Sequence, residues 1–304
     1  MSKYLISVVG PTAIGKTSLS IKLAQFFKAE IISADSRQFY KEMRIGTAVP
    51  TKEELSQAKH HFIHHKSIHD SYNVGSFEKD ALSLLDKLFK TNNIIIMVGG
   101  SGLYIDALTK GLDKFPEVDK SIRDSLNKEL EDNGLVSLQN KLKELDEVSY
   151  NKIAIDNPHR VIRALEICIG SGQAYSSFLN NKKAKRSFKT VSIGLTAERE
   201  IIYKRINERV DNMMKEGLLD EVQKLLNFKN INSLNTVGYK ELFKYLNKEC
   251  GLEFAVSEVK KNTRRFAKRQ TTWFKKNNEI KWFNYQYKLD EITNYINKKI
   301  QLDG

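Results

Sequence analysis

Gly10, four residues, and then Gly15-Lys16-Thr17 have the spacing of a loop that wraps phosphate. Glycines let successive backbone N–H groups turn inward around anionic oxygens. The helix that follows adds the positive end of its dipole, and Lys16 brings a mobile charge. A threonine in the place of Thr17 can ligate Mg²⁺ through its hydroxyl. The stretch "VVGPTAIGKTSLS" (8–20) sets the loop between an apolar run and an amphipathic one, the strand-to-helix context the motif requires. The bland reading, a tight turn without a ligand, leaves the complete motif unexplained. A phosphate held here could be transferred, hydrolysed for work, or simply released.

Phosphoryl transfer calls for an acid at the end of a nearby strand to hold the metal. The run "IIIMVGGSG" (94–102) has none and ends in glycines and a hydroxyl. The carboxylate comes instead from "ISADSRQFY" (32–40), where Asp35 precedes Ser36, Arg37 and Gln38. An aspartate at a strand end is ordinarily a cap or turn former. Beside a phosphate loop, at the carboxyl end of a parallel sheet, it becomes a catalytic candidate.

Positioning these groups takes a parallel sheet. "YLISVV", "EIISAD", "IIIMV" and "TVSIGL" read as buried strands, with helices over Ser18–Phe27 and along the stripe Phe77, Ala81, Leu84, Leu85 and Leu88. The fold class expected is α/β, a P-loop NTPase-like parallel sheet. Two leucine stripes split by "DNG" follow, then "HRVIRALEICIG", read as a helix closed by its glycine. Residues 115–189 are therefore expected to form a helical insertion, with 1–114 and 190–304 making the core and a helical C-terminal part on the stripe Ile202, Ile206, Val210 and Met213.

The chain has 304 residues, 40% of them hydrophobic, enough for one large core and a smaller unit. No run approaches the ~18 apolar residues of a membrane span, and MSKYLISVVG does not read as a signal peptide. Cys168 and Cys250 offer neither a disulfide framework nor a metal site, so a reducing, cytoplasmic setting is expected. Fifty Lys and Arg against 37 Asp and Glu give +13, a balance that suits a polyanionic partner. "KKNTRRFAKRQTTWFKK" (260–276) carries eight basic residues and no acid, and "KKAKRSFK" (182–189) is a second cluster. Phosphate contact is the preferred reading of the longer run over a merely solvated face. On the same helix Phe266, Gln270, Trp273 and Phe274 share one side, read as core contact rather than a base-stacking platform. Five of the six histidines fall in "HHFIHHKSIH" (60–69), but no cysteine or carboxylate set accompanies them, so metal binding is not expected.

Taken in order, "GPTAIGKT", "ISADSRQFY", "GTAVP", "HHFI", "GGSGLY", "NPHRVIRALEI" and "RRFAKRQTTWF" resemble the tRNA dimethylallyltransferase (tRNA isopentenyltransferase) family over residues 7–275. The resemblance implies transfer of a dimethylallyl group from dimethylallyl diphosphate to N6 of the adenosine immediately 3′ of the anticodon. The phosphate loop would then hold a leaving group. It implies a P-loop core with a helical insertion contacting tRNA, Mg²⁺ as cofactor, the anticodon stem-loop of tRNA as partner, no membrane, and a monomer. Gly10, Pro11, Thr12, Ala13, Ile14, Gly15, Lys16 and Thr17 match the donor diphosphate (nucleotide-binding) loop, with Thr17 on the Mg²⁺. Asp35 matches the group thought to accept the N6 proton, with Lys16 and Thr17 beside it as catalytic residues. Asp35, Ser36, Arg37, Gln38, Ser101, Arg123, His159, Arg160, Val161, Ile162 and Arg163 match tRNA or substrate contacts. Ile14 stands where the family often has a smaller residue, His159 where glutamine is frequent, and "NTVGYKE" (235–241) departs from the family segment, so no tRNA contact is carried onto it. A small-molecule P-loop kinase, an adenylate isopentenyltransferase and a non-catalytic RNA-binding module are the rival readings. The missing strand-end acid argues against the first, the basic helix and the insertion against the second, and the phosphate loop with Asp35 against the third.

Overall fold

The computed structural model describes residues 2–179 and 184–302. Among these, six strands, β1 (Tyr4–Val9), β2 (Ile31–Ser33), β3 (His60–His61), β4 (Ile94–Val98), β5 (Lys189–Thr196) and β6 (Lys281–Asn284), form one sheet in the order β3-β2-β4-β1-β5-β6. Every pairing in it is parallel. Twelve α-helices among the described residues accompany it: α1 (Lys16–Phe27), α2 (Lys52–Gln57), α3 (Val74–Leu88), α4 (Gly102–Lys110), α5 (Lys120–Leu145), α6 (Glu147–Lys152), α7 (Pro158–Ser171), α8 (Arg199–Lys215), α9 (Leu218–Lys224), α10 (Tyr239–Leu246), α11 (Leu252–Lys275) and α12 (Leu289–Leu302).

Alternation along β1 explains why the central strands read as unbroken apolar runs. Leu5 and Val9 enter one core cluster, while Tyr4, Ile6 and Val8 enter another on the opposite face. The order matters more for chemistry. β4 lies between β1 and β2, in register Ile6↔Ile96 and Ile31↔Ile96, so its carboxyl end separates the phosphate loop after β1 from Asp35 after β2.

Chain contacts divide the molecule into Met1–Lys110 with Lys185–Gly304, and Gly111–Ala184. The second unit has its own core of Leu126, Leu138, Leu142, Val161, Ile162, Ala164 and Leu165. Its helices are delimited by local signals: Asp119 caps α5 by accepting from Ser121 N–H, and Asn157 caps α7 ahead of Pro158 by accepting from His159 N–H. The split expected at "DNG" is a kink inside α5, where Gly134 has φ 76°.

Several expected boundaries move. α1 begins at Lys16 rather than Ser18, and β2 ends at Ser33, leaving Asp35 in the turn beyond it. α7 passes through Gly170 and ends at Gly172 (φ 68°). Gly170 is needed for packing: a Cβ there would lie 2.4 Å from Val118. The C-terminal part is not purely helical, because β6 adds an edge strand against β5. Of the "KKAKRSFK" cluster, Lys182 and Lys183 lie outside the described residues; Arg186 binds Glu78 and donates to the Ala107 carbonyl at 2.6 Å.

Candidate active site

The phosphate loop is shaped by three left-handed or glycine-only positions, Gly10 (φ 142°), Ala13 (φ 63°) and Gly15 (φ 104°). A side chain at Gly10 would meet the Leu195 carbonyl of β5 at 2.7 Å, so glycine is required for the loop to leave the sheet. Thr12 through Thr17 line a cavity of about 520 Å³ that also receives Asp35, Gln38 and the segment Arg44–Thr51, within the size range of small-ligand sites. Gly10 and Pro11 shape the loop from behind. Pro11 supplies the carbonyl, 2.8 Å away, to which Lys16 Nζ donates. Ile14, 2% exposed, fills the core on the α1 side.

Burial lowers the Lys16 ammonium to about 8; the Asp35 charge pulls it back up and Arg209 pushes it further down. Burial also raises the Asp35 carboxyl above its ordinary value, opposed by the Arg37 N–H and by the charges of Lys16, Arg37 and Arg209. Asp35 Oδ1 accepts from Arg37 N–H at 3.1 Å, so the residue does form the turn expected of an aspartate there. The second oxygen faces Gly100, since a Cβ on that glycine would stand 3.6 Å from it. The paired glycines at the end of β4 are what leave this space open. A side chain at Gly99 would lie 2.4 Å from the Ala34 carbonyl, and one at Gly100 2.3 Å from Gln270.

Two arginines that the sequence did not single out line the cavity, and Gln270, read from the sequence only as core contact, braces it from behind. Arg205 Nε donates to the Ala13 carbonyl at 2.7 Å, and Arg209 Nη1 reaches Thr12 Oγ1 at 3.4 Å, both from α8. Burial, with Arg205 next to it, lowers the Arg209 pKa. Gln270, 5% exposed, accepts from Thr12 N–H at 2.8 Å and donates to the Gly100 carbonyl at 2.9 Å, tying the phosphate loop to the glycine turn of β4. The signal for the arginines was their i, i+4 spacing beside the apolar stripe of α8. Gln270 gave no signal beyond its place on a mostly apolar face.

The expected tRNA-contact residues take unequal positions. Ser36 and Ser101 meet, their hydroxyls 3.1 Å apart and Ser36 N–H donating to Ser101 Oγ at 3.1 Å. Arg37 is a brace: its guanidinium donates to the carbonyls of Asn232, Ser233 and Asn235 at 3.4, 2.7 and 3.4 Å. Gln38 is another, donating to the carbonyls of Thr47 and Ala48 at 3.3 and 3.0 Å. In the helical unit Val161 and Ile162 are 0% and 3% exposed, so their side chains are core and unavailable to RNA. His159 and Arg160 are exposed. Arg123 and Arg163 share one carboxylate, that of Glu166, at 2.7 and 3.2 Å, which leaves one positive charge in surplus.

The apolar side of α11 is only half as expected. Phe274 and Gln270 are buried, but Phe266 is 37% exposed and Trp273 39%, the indole lying against Gly102 and donating to Asp106 at 2.9 Å. Among the basic residues Lys260 pairs with Asp211, Lys261 with Glu258, and Arg264 donates to Asn207 at 2.8 Å. Arg265, Lys268, Arg269, Lys275 and Lys276 face solvent. The histidine run serves packing: His65 sits edge-on to Phe39, Phe62 and Tyr72, burial driving it down to about 4, while His61 lies 2.6 Å from Glu30. Among the described residues no cluster of His, Cys, Asp and Glu could hold a metal ion, and no helix is long and apolar enough to cross a membrane.

The family model described as IPP transferase matches residues 38–277. The chain is 59% identical over 300 residues to the tRNA dimethylallyltransferase of Christiangramia forsetii, with 99% of each chain covered. It is 56% identical to that of Flavobacterium johnsoniae, with 97% of each covered. Its fold is similar to the full-length tRNA isopentenylpyrophosphate transferase of Bacillus halodurans, at TM-score 0.74 and 36% identity over 99% of this chain and 97% of that one. A eukaryotic dimethylallyltransferase solved acting on tRNA matches at TM-score 0.79 and 27% identity, over 93% of this chain and 74% of the other.

Proposed function

The chain belongs to the IPP transferase family, and on that premise we propose that it moves a dimethylallyl group from dimethylallyl diphosphate to N6 of the adenosine immediately 3′ of the anticodon of tRNA, releasing diphosphate. The observation that carries the reading is one cavity that holds both a phosphate loop and the half-buried carboxylate of Asp35, beside the glycine turn that follows β4. Such an arrangement suits a diphosphate that leaves, since an allylic carbon tolerates positive charge and the main task is to stabilise what departs.

Each residue then has a task at a stated atom. The backbone N–H groups of Ala13–Thr17, the Lys16 ammonium and the Arg209 guanidinium take the diphosphate oxygens and stabilise them as charge develops, while the Thr12 N–H stays with Gln270. The Thr17 hydroxyl, in the first turn of α1 and on the cavity wall, is the hard oxygen donor Mg²⁺ prefers, and the few protein ligands such a site needs fit what the loop offers. When bound there with phosphate oxygens, Mg²⁺ would supply further neutralisation of the leaving group. Asp35 keeps one oxygen in the turn with Arg37 and uses the other to orient the N6 amine and take its proton as the new C–N bond forms. A raised carboxyl pKa makes Asp35 a better base than an exposed aspartate. The target base has to leave its stack to reach the cavity.

For tRNA, the exposed basic stripe of α11 and the face of the helical unit bearing Arg123, His159, Arg160 and Arg163 are the surfaces we assign. A monomer suffices for all of these roles. The test offers labelled dimethylallyl diphosphate with unmodified tRNA, and separately with AMP, while ATP hydrolysis is followed. Label entering tRNA alone is expected. Label entering AMP, or ATP turnover without prenyl transfer, overturns the reading.

A further inference from the structure

Glu221 of α9 holds four donors on one carboxylate. Oε2 accepts from the N–H groups of Arg44 and Ile45 at 3.0 and 2.8 Å; Oε1 accepts from Gly46 N–H and the Tyr239 hydroxyl at 3.0 and 2.7 Å. Tyr239 is fully buried, and its ring fills the space a side chain at Gly46 would need, 2.6 Å from the Cβ position. Burial and the neighbouring Glu221 charge raise the phenol pKa, which keeps it a hydrogen donor. From the other end Gln38 grips the carbonyls of Thr47 and Ala48. The segment so anchored lends Ile45 to the cavity wall, and Val49 and Pro50 follow directly after it on the same wall, in company with Met213 of α8. Lys16, Arg209 and the loop amides give the same cavity its anion-binding groups, so a hydrocarbon tail has this wall to lie against.

We propose that Glu221, with Tyr239, is a positioning residue that fixes the apolar wall and thereby sets the length of prenyl chain the donor site accepts. The proposal rests on the allylic diphosphate reading above. Both carboxylate oxygens are saturated by donors. An amide at this position would turn N–H groups against N–H groups, so the isosteric Glu221→Gln breaks the clamp, whereas Tyr239→Phe removes one bond of four and leaves three. The segment "NTVGYKE", which holds Tyr239, thereby acquires a role in donor selection.

The experiment measures kcat and KM for dimethylallyl diphosphate (five carbons) and geranyl diphosphate (ten carbons) at saturating tRNA, together with the KM for tRNA and the melting temperature, on the full chain. Glu221→Gln should raise the five-carbon donor KM and cut the five-over-ten preference in kcat/KM, each by roughly tenfold or more, with the tRNA KM unchanged. Tyr239→Phe should move both in the same direction by less. Donor KM and preference within twofold of wild type would overturn the proposal. So would a fall in kcat equal for both donors and accompanied by a raised tRNA KM, the mark of general damage. If Glu221→Gln does not fold, an unchanged preference in Tyr239→Phe overturns it. Wild-type protein that uses neither allylic donor sinks the donor reading and this proposal together.

Discussion

Lys16 and Arg209 are held in the phosphate-loop cavity, where burial lowers the pKa of both; Arg265, Lys268 and Arg269 stand on the solvent face of α11. The two sets share one compact unit and the same charge, yet their surroundings give them different physics. A cation in a desolvated cavity acts strongly on one developing charge and needs no further reorganisation to do so. A cation in water acts by releasing counterions, each contributing modestly and every contribution weakened by salt. Substitutions in the cavity should therefore change chemistry, and those on α11 should change affinity and its salt dependence.

The largest expected effect belongs to Asp35. Asp35→Asn keeps an oxygen for the Arg37 N–H and so keeps the turn, but it cannot take a proton. Single-turnover transfer with prebound tRNA and donor should fall by about 10²–10⁴-fold while tRNA binding stays nearly constant. A loss of less than about threefold would make Asp35 a turn former only.

Lys16→Ala comes next. Removing one preorganised charge from the leaving group should cost ~10²–10³ in kcat, with weaker donor binding besides. Near-normal turnover at saturating donor would move Lys16 out of the cavity's working set.

A smaller effect appears on titration. Lys16, held at about 8, is charged below that pH and neutral above it, so kcat/KM for the donor should decline as pH rises through about 8. Lys16→Arg, charged throughout this range, should lack that alkaline limb whatever its absolute rate. On the acid side the raised pKa of Asp35 should bring the loss of activity at a higher pH than an ordinary aspartate would.

The smallest effects per residue are expected on α11. Replacing Arg265, Lys268 and Arg269 by alanine should weaken tRNA binding and reduce its log–log salt slope by roughly one unit for each phosphate no longer neutralised, with donor KM unchanged. An unaltered slope would place the tRNA backbone elsewhere. Arg264 is left out because its guanidinium is engaged with Asn207.

Much of the candidate site was legible in the sequence because its parts are local. A phosphate loop is one contiguous stretch whose glycines, lysine and threonine must follow one another, so spacing alone identifies it. The central strands showed themselves as apolar runs because both faces of a parallel sheet are covered. β6 escaped notice because four residues, "KWFN", carry too little pattern to distinguish a short edge strand from a helix flank.

What the sequence by itself determined is the chemistry available: a phosphate cradle, a carboxylate after the second strand, and an acid-free basic run over 260–276. The tertiary structure decided which groups meet. Only the strand order sets the glycine end of β4 between Lys16 and Asp35, and only helix packing delivers Arg209, Gln270 and Glu221 to the same region of the chain. Arg37 and Gln38 went the other way: beside Asp35 in sequence, they are drawn into bracing loops. The reason is that a hydrogen bond depends on where its partner lies in space, and for these side chains the partners lie up to 258 residues away along the chain.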